Sequence, residues 1–251
     1  MRADGRRADE LRAMRFEVGW KSQGEGSCLV RCGNTAVLCV ASVDEGVKDF
    51  LRGRAQGWVT AEYLMHPRAG ARRQSRDGYN GRPLSGRTQE IARLIGRSLR
   101  AVVDLPALGE RTITLDCDVL EADGGTRTAS VNGAMVALAC ALNALRRKGT
   151  IARPALLGTA SAVSAGVVAG ASLLDLAYRE DHVADMDLNL VADDQGRVIE
   201  LQCSAESRAV PRAVVDGLVS LSLQGVAEIR DLQRRALRDA GVDLDALLAP
   251  A

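Results

Sequence analysis

Aromatic side chains are nearly missing from this 251-residue chain, with two Phe, two Trp and three Tyr making up 3 % of it. A long track of bases stacked along one nucleic-acid strand needs a series of such rings, so the composition does not advertise that mode of binding. Lysine is equally scarce, confined to Lys21, Lys48 and Lys148, so basic side chains are arginine almost everywhere. A single arginine therefore says little, and only clusters carry information. The two histidines, His66 and His182, are not spaced with the six cysteines as metal ligands, and no C-x-x-C pair occurs. A zinc site or disulfide framework is not indicated, and buried free thiols in a reducing compartment fit instead. The start, Met1 to Arg7, is charged and has no apolar run of a signal peptide, and no stretch reads as a membrane span. The cytoplasm is the expected location.

What is present suits a folded enzyme. Hydrophobic residues make up 47 % of the chain, which argues against disorder, and its length can bury a full core. The formal charge of +1 hides an uneven distribution. Between residues 68 and 100 lie Arg68, Arg72, Arg73, Arg76, Arg82, Arg87, Arg93, Arg97 and Arg100, against only Asp77 and Glu90. Such a basic stripe suits phosphate backbones. The part from Arg68 to Ser85 lacks periodicity and reads as an exposed, mobile loop; a charge run that only aids solubility is the alternative.

The segment from Arg111 to Ser130 says the most. Ile113, Leu115, Cys117 and Val119 alternate with Thr112, Thr114, Asp116 and Asp118, a strand signal. Asp123-Gly124-Gly125 breaks the strand. A loop bearing Thr126, Arg127, Thr128 and Ser130 follows, then a helix from Val131 to Arg147. Exposed N–H groups, a helix dipole and an arginine fork together suit a phosphate. An ordinary strand-turn-helix corner with a Ser/Thr cap is the plainer reading. Ser85-Gly86-Arg87-Thr88 leads into a second helix over Gln89–Asp104, and places Arg87 where another guanidinium can face an anion.

Short strands are expected at Gly26–Arg31, Thr35–Ser42 and Gly57–Glu62, with Trp58 in the core and a turn at Cys32-Gly33-Asn34. Gly149–Pro154 is a weak internal boundary. Beyond it, Ala160–Val168, Ser172–Tyr178, Met186–Val191 and Arg197–Gln202 read as strands, and Pro211–Ala240 as a helix. The result is an α+β fold of two related strand-helix halves in one domain over residues 1–251. Met186, Leu188 and Leu190 alternate inward, so Asp187 and Asn189 project from the other face, and Asp181 precedes them across a short polar loop. A loop carboxylate and a strand carboxylate can converge on one magnesium ion (Mg2+), which keeps water or substrate oxygens at its other positions. A solvated acidic loop is the alternative. Asp116 and Asp118 read either as a second metal-binding pair or as polar-face residues held by nearby arginines.

Gly86-Arg87-Thr88-Gln89-Glu90-Ile91, Leu94 to Leu105, Leu115 to Ala129, Gln56 to Tyr63, Met65 to Arg68, the Met1–Arg6 start and Asp181 to Asn189 together resemble ribonuclease PH, over nearly the whole chain. The resemblance implies the ribosomal-protein-S5-domain-2-like fold. It implies a phosphate-dependent 3′-to-5′ exoribonuclease that trims the 3′ end of precursor tRNA, built as a hexameric ring. Inorganic phosphate would be the co-substrate, held by Arg87, Gly125, Thr126 and Arg127. Asp181 and Asp187 would be catalytic and hold magnesium, and Arg68, Arg73 and Arg76 would bind RNA. A non-catalytic RNA-binding subunit of an exosome-like ring is the alternative. Two departures stand out: the family's Gln-Gly-Thr-Ala-Glu-Gly is here Gln202-Cys203-Ser204-Ala205-Glu206-Ser207, with side chains where glycine is usual.

Overall fold

The structure, a computed structural model, describes residues 2–206 and 208–249. Two sheets carry the fold. The first contains β1 (Met14–Val18), β2 (Gly26–Cys32), β3 (Thr35–Glu45), β4 (Trp58–Met65) and β5 (Arg111–Glu121), ordered β1-β2-β3-β5-β4. Only the β4–β5 pair is parallel. The second, wholly antiparallel, contains β6 (Ala160–Val168), β7 (Ala171–Leu174), β8 (Met186–Asp193) and β9 (Val198–Ala205), ordered β7-β6-β8-β9.

Helices cover one face of the first sheet. The α1 helix (Gly86–Arg100) packs on β4, and α3 (Thr126–Arg147) packs on β2, β3 and β5. The remaining helices are the short α2 (Leu105–Leu108) and α4 (Tyr178–Asp181) and the long α5 (Arg212–Asp239). Alternation decides which face is covered: Ile113, Leu115, Cys117 and Val119 are buried, whereas Thr112, Thr114, Asp116 and Asp118 are not. At β2, Gly26 allows close approach, because a Cβ there would meet the Ala137 carbonyl at 2.1 Å.

The α3 helix also reaches the second sheet. Beyond the end of β7, the Asn132 amide takes the place of a neighbouring strand for Ala162. Its Nδ2 donates to the Ala162 carbonyl at 2.8 Å, and its Oδ1 accepts from the Ala162 N–H at 2.7 Å. The α5 helix closes the other side, where Gln233 donates to the Asn132 and Ala160 carbonyls. One hydrophobic core therefore runs through both sheets. By length and composition α3 is apolar enough to cross a membrane, contrary to the sequence reading. Its apolar surface is spent on the surrounding elements, as expected of a helix that is hydrophobic all round.

Several local expectations are corrected. The α3 helix begins at Thr126 and not at Val131, so Thr126, Arg127, Thr128 and Ser130 form its first turns. The hydroxyls that looked like loop chemistry turn back onto the backbone, Thr128 Oγ1 to Gly125 O at 2.9 Å and Ser130 Oγ to Thr126 O at 2.8 Å. The α1 helix starts at Gly86 and stops at Arg100; Ser85 caps it by accepting from the Thr88 N–H. The segment ahead of Asp181 is the single helical turn α4, β7 ends at Leu174, and β1 was not anticipated. Trp58 is only half-buried, edge-on to Phe50 and capped by the Arg100 guanidinium 4.3 Å from its ring centre.

Candidate active site

An open cleft of about 2120 Å³ collects residues from the arginine loop, the Asp123–Arg127 turn, α4, β8 and β9. Its floor is the entry to α3. Gly124 and Gly125 both adopt left-handed φ, +78° and +66°. A Cβ on Gly124 would lie 2.7 Å from Leu176 O and Tyr178 N, so only glycine lets the turn press against the chain entering α4. Gly125 supplies no side-chain cap. Among the described residues nothing accepts from the Thr126, Arg127 or Thr128 N–H. Unpaired helix N–H groups opening on a cleft are suited to an anion.

Buried charge fixes this turn. Arg12 donates from Nε and Nη2 to the two Asp175 carboxylate oxygens, and from Nη1 to the Asp123 carbonyl at 2.7 Å. Thr35 accepts from the Asp123 N–H and donates to the Gly124 carbonyl. Next to this turn, Arg2 donates from Nε and Nη2 to the Glu180 carboxylate, both at 2.7 Å, and anchors α4 immediately before Asp181. Neither clamp was singled out in the sequence. Their partners lie more than 160 positions apart, beyond the reach of local patterns.

Arg87, Arg127, Asp181 and Asp187 all line the cleft. Arg87 is exposed, with no described carboxylate in ion-pair range. It reaches this position because Asp77 ties the arginine loop to the start of α1, accepting from the Ser85 N–H and from the Ser85 and Thr88 hydroxyls. Arg127 donates from Nη1 to Gln202 Oε1 and lies 3.8 Å from Glu90, while Gln202 Nε2 donates to Glu90 Oε1 at 2.8 Å. Thr126 is nearly buried, and its hydroxyl is hydrogen-bonded to the Tyr63 hydroxyl at 2.9 Å. Glu90, Gln202 and Tyr63 thus join the site without a distinctive spacing of their own.

Desolvation in the cleft raises the Asp181 carboxyl above its ordinary value, and the Asp187 charge adds to this; Arg87 and Arg127 pull the other way. No arginine pairs with either aspartate among the described residues. Asn189 Nδ2 donates to Asp187 at 3.4 Å. Two carboxylates that repel one another, without a paired cation, are a fitting place for a divalent ion. No cluster of three or more Asp, Glu, His or Cys ligands occurs among the described residues, so an ion here would draw further ligands from water or substrate, as magnesium does.

Other sequence candidates lie elsewhere. Arg68 lines the cleft together with Arg72, whereas Arg73 and Arg76 are exposed away from it. Asp116 and Asp118 do not line the cleft, and no described arginine pairs with them, contrary to expectation. Burial raises the Asp116 carboxyl, with help from Glu62 and Asp118.

The model of the 3′ exoribonuclease family, domain 1, matches residues 10–142, and that of domain 2 matches residues 158–225. The chain belongs to the ribonuclease PH family. Rice (Oryza sativa) Rrp46 shares 20 % identity at a TM-score of 0.73, over 94 % of this chain and 100 % of that one. An Archaeoglobus fulgidus exosome with RNA bound to the active site shares 22 % at 0.74, over 92 % and 91 %. The fold is thus the ribonuclease PH-like α+β fold that the motifs implied.

One departure from the ribonuclease PH pattern can be placed. Cys203 pairs with Leu188 across β8 and β9 and lines the cleft. Contrary to the expectation of buried thiols, Cys203 is exposed; partial desolvation and then the Asp187 charge raise its thiol. Ser207 lies outside the described residues.

Proposed function

We propose that the protein is a phosphate-dependent 3′-to-5′ exoribonuclease that trims the 3′ end of precursor tRNA. The observation that carries this reading is the shared cleft, in which two arginines and an unpaired helix N-terminus face two carboxylates without cationic partners. Nucleophile and target are both anions, so the site must first offset their repulsion. Arg87 and Arg127 would hold inorganic phosphate by their forks, and the Thr126 and Arg127 N–H groups would orient it. Arg127 would exchange its Gln202 contact for the anion.

An oxygen of the bound phosphate attacks the last phosphodiester, the bond to the 3′ oxygen breaks, and that oxygen takes up a proton. The products are a nucleoside diphosphate and an RNA shorter by one nucleotide. The phosphodiester broken is replaced by the phosphoanhydride bond of the diphosphate, so the activation of the nucleotide is retained and the reverse extension is expected. Magnesium bound at Asp181 and Asp187 would neutralise charge on the scissile phosphate and the leaving oxygen. Either carboxylate, when not holding the ion, can assist the proton transfer. Arg68, Arg73 and Arg76 would grip the body of the RNA, and six copies would form the ring.

The test is incubation with a 3′-extended tRNA and magnesium, with and without inorganic phosphate. Nucleoside diphosphates released only with phosphate are expected; monophosphates without it would overturn the reading. A second reading is a non-catalytic RNA-binding subunit of an exosome-like ring; the fold shared with the archaeal exosome supports its ring-subunit part. RNA binding without nucleotide release would select it.

A further inference from the structure

Tyr178 and His182 project from the ends of α4, on either side of Asp181 in sequence. Their rings are stacked, with centres 5.8 Å apart and planes 15° from parallel. Both line the cleft, and Tyr178 is 57 % exposed. The Tyr178 hydroxyl has no hydrogen-bond partner among the described residues. The other exposed aromatics, Trp20, Phe50 and Tyr79, do not line the cleft. The position of the stack is tightly set. The Tyr178 N–H donates to the Asp123 carbonyl at 3.1 Å, and the Gly124 backbone presses on the same peptide. Arg2 holds the middle of the turn through Glu180. A large, exposed ring on a firmly held backbone therefore lines the same cleft as the phosphate turn and the carboxylate pair.

We propose that the Tyr178–His182 stack is the platform for the nucleobase of the RNA's 3′-terminal nucleotide. The inference rests on the exoribonuclease reading, which brings the terminal phosphodiester between Arg127 and Asp187 and must lodge the attached base beside it. Mutual stacking occupies one face of each ring and leaves the outer face for a base. Every base has a π-face, so stacking accepts all four, as an enzyme that removes successive nucleotides requires. The scarcity of aromatics agrees with a platform for one base and not a track for many. A merely local role, with the two rings stabilising α4 as a helical i, i+4 pair, would leave the affinity for an RNA end unchanged, with or without its base.

The distinguishing experiment is anisotropy binding of a 5′-labelled oligoadenylate and of the same oligomer ending in an abasic nucleotide. Magnesium is present and phosphate omitted, so that phosphorolysis is suppressed. The wild type should favour the base-bearing oligomer. Tyr178→Ala should weaken that oligomer by roughly 5- to 100-fold and abolish the preference. Tyr178→Phe should retain it, and His182→Ala should reduce it. The platform is overturned if the wild type does not discriminate, if Tyr178→Ala weakens both oligomers alike, or if neither oligomer binds. Adding phosphate to the wild type tests the parent reading separately: absent nucleoside diphosphate would sink phosphorolysis and leave the base preference as measured.

Discussion

Arg12 and Asp175 meet fork to fork beneath the glycine turn, with Nη2 to Oδ1 at 2.7 Å and Nε to Oδ2 at 2.9 Å. Both side chains are nearly inaccessible, 5 % and 4 % exposed. The same carboxylate accepts from the Arg12 backbone N–H, so one residue's main chain and side chain are anchored together. The pair thus holds the N-terminal segment to the floor of the cleft.

Breaking that pair should be costly. Asp175→Asn leaves a buried guanidinium without its counter-charge and should destabilise the fold by about 3–5 kcal/mol, read as a lower urea midpoint at pH 7. Burial works to raise the Asp175 carboxyl, but the bonds and charge of Arg12 outweigh it and hold it below the ordinary range. The contribution is therefore complete above the unfolded value near pH 4 and fades as pH falls through the folded one. The gap between wild type and variant should narrow below about pH 4; a gap that widens there would contradict the assignment.

Gly124→Ala should destabilise by about 1–3 kcal/mol, from left-handed strain and the collision with Leu176 and Tyr178. Gly5→Ala is the comparison, since Gly5 has a similar φ of +82° but nothing within 4 Å of an added Cβ. Equal losses in thermal melts would mean that the close approach contributes nothing.

Arg127→Ala should lower phosphate-dependent turnover by about 10²–10³-fold while RNA affinity changes little. Arg127→Lys should recover only part of it, because a lysine cannot reproduce the fork. Parallel loss of RNA binding and turnover would place Arg127 on the RNA and not on the phosphate.

Asp187→Asn should raise the magnesium needed for half-maximal turnover by at least about tenfold, since even groups behind a ligand cost 10- to 100-fold in metal affinity. An unchanged magnesium titration would remove Asp187 from the ion.

Replacing Arg68, Arg73 and Arg76 together by alanine should flatten the salt dependence of RNA binding by up to about 0.7 in log–log slope per lost contact. Position in the cleft makes a finer prediction. Arg68→Ala alone should affect a short oligomer, while Arg73 and Arg76 should matter only for RNA long enough to leave the cleft. Dissociation of the assembly by these changes, seen in sedimentation, would reassign them to subunit contacts.

Much of this architecture was legible in the chain because period speaks loudly where one face is buried. Ile113 to Val119 and Met186 to Leu190 alternate, and Ile91 to Leu99 repeat at helical spacing. The α4 turn was not legible, because it has too few residues to express a period. Met14–Val18 does alternate, with Arg15 and Glu17 between Met14, Phe16 and Val18, so this edge strand was open to the same reading and was passed over. Thr126 to Ser130 looked like a loop because hydroxyls and a guanidinium are polar, yet three of the hydroxyls are buried and bonded within the fold. Four of the charged residues in the cleft, Arg87, Arg127, Asp181 and Asp187, lie in motifs. The groups that orient them, Arg12, Asp175, Arg2, Glu180, Gln202 and Tyr63, act across long sequence separations and carry no local signature.

Asn132 has a consequence for how the molecule comes apart. Its amide completes the hydrogen bonding of β6 from a helix that belongs to the first sheet, and Gln233 of the last helix locks onto the same spot. Neither half can be pulled away without baring a dry seam of main-chain donors and acceptors. Heat should therefore melt both halves in a single calorimetric step, and a chain cut between them should yield two fragments that stay soluble only when mixed.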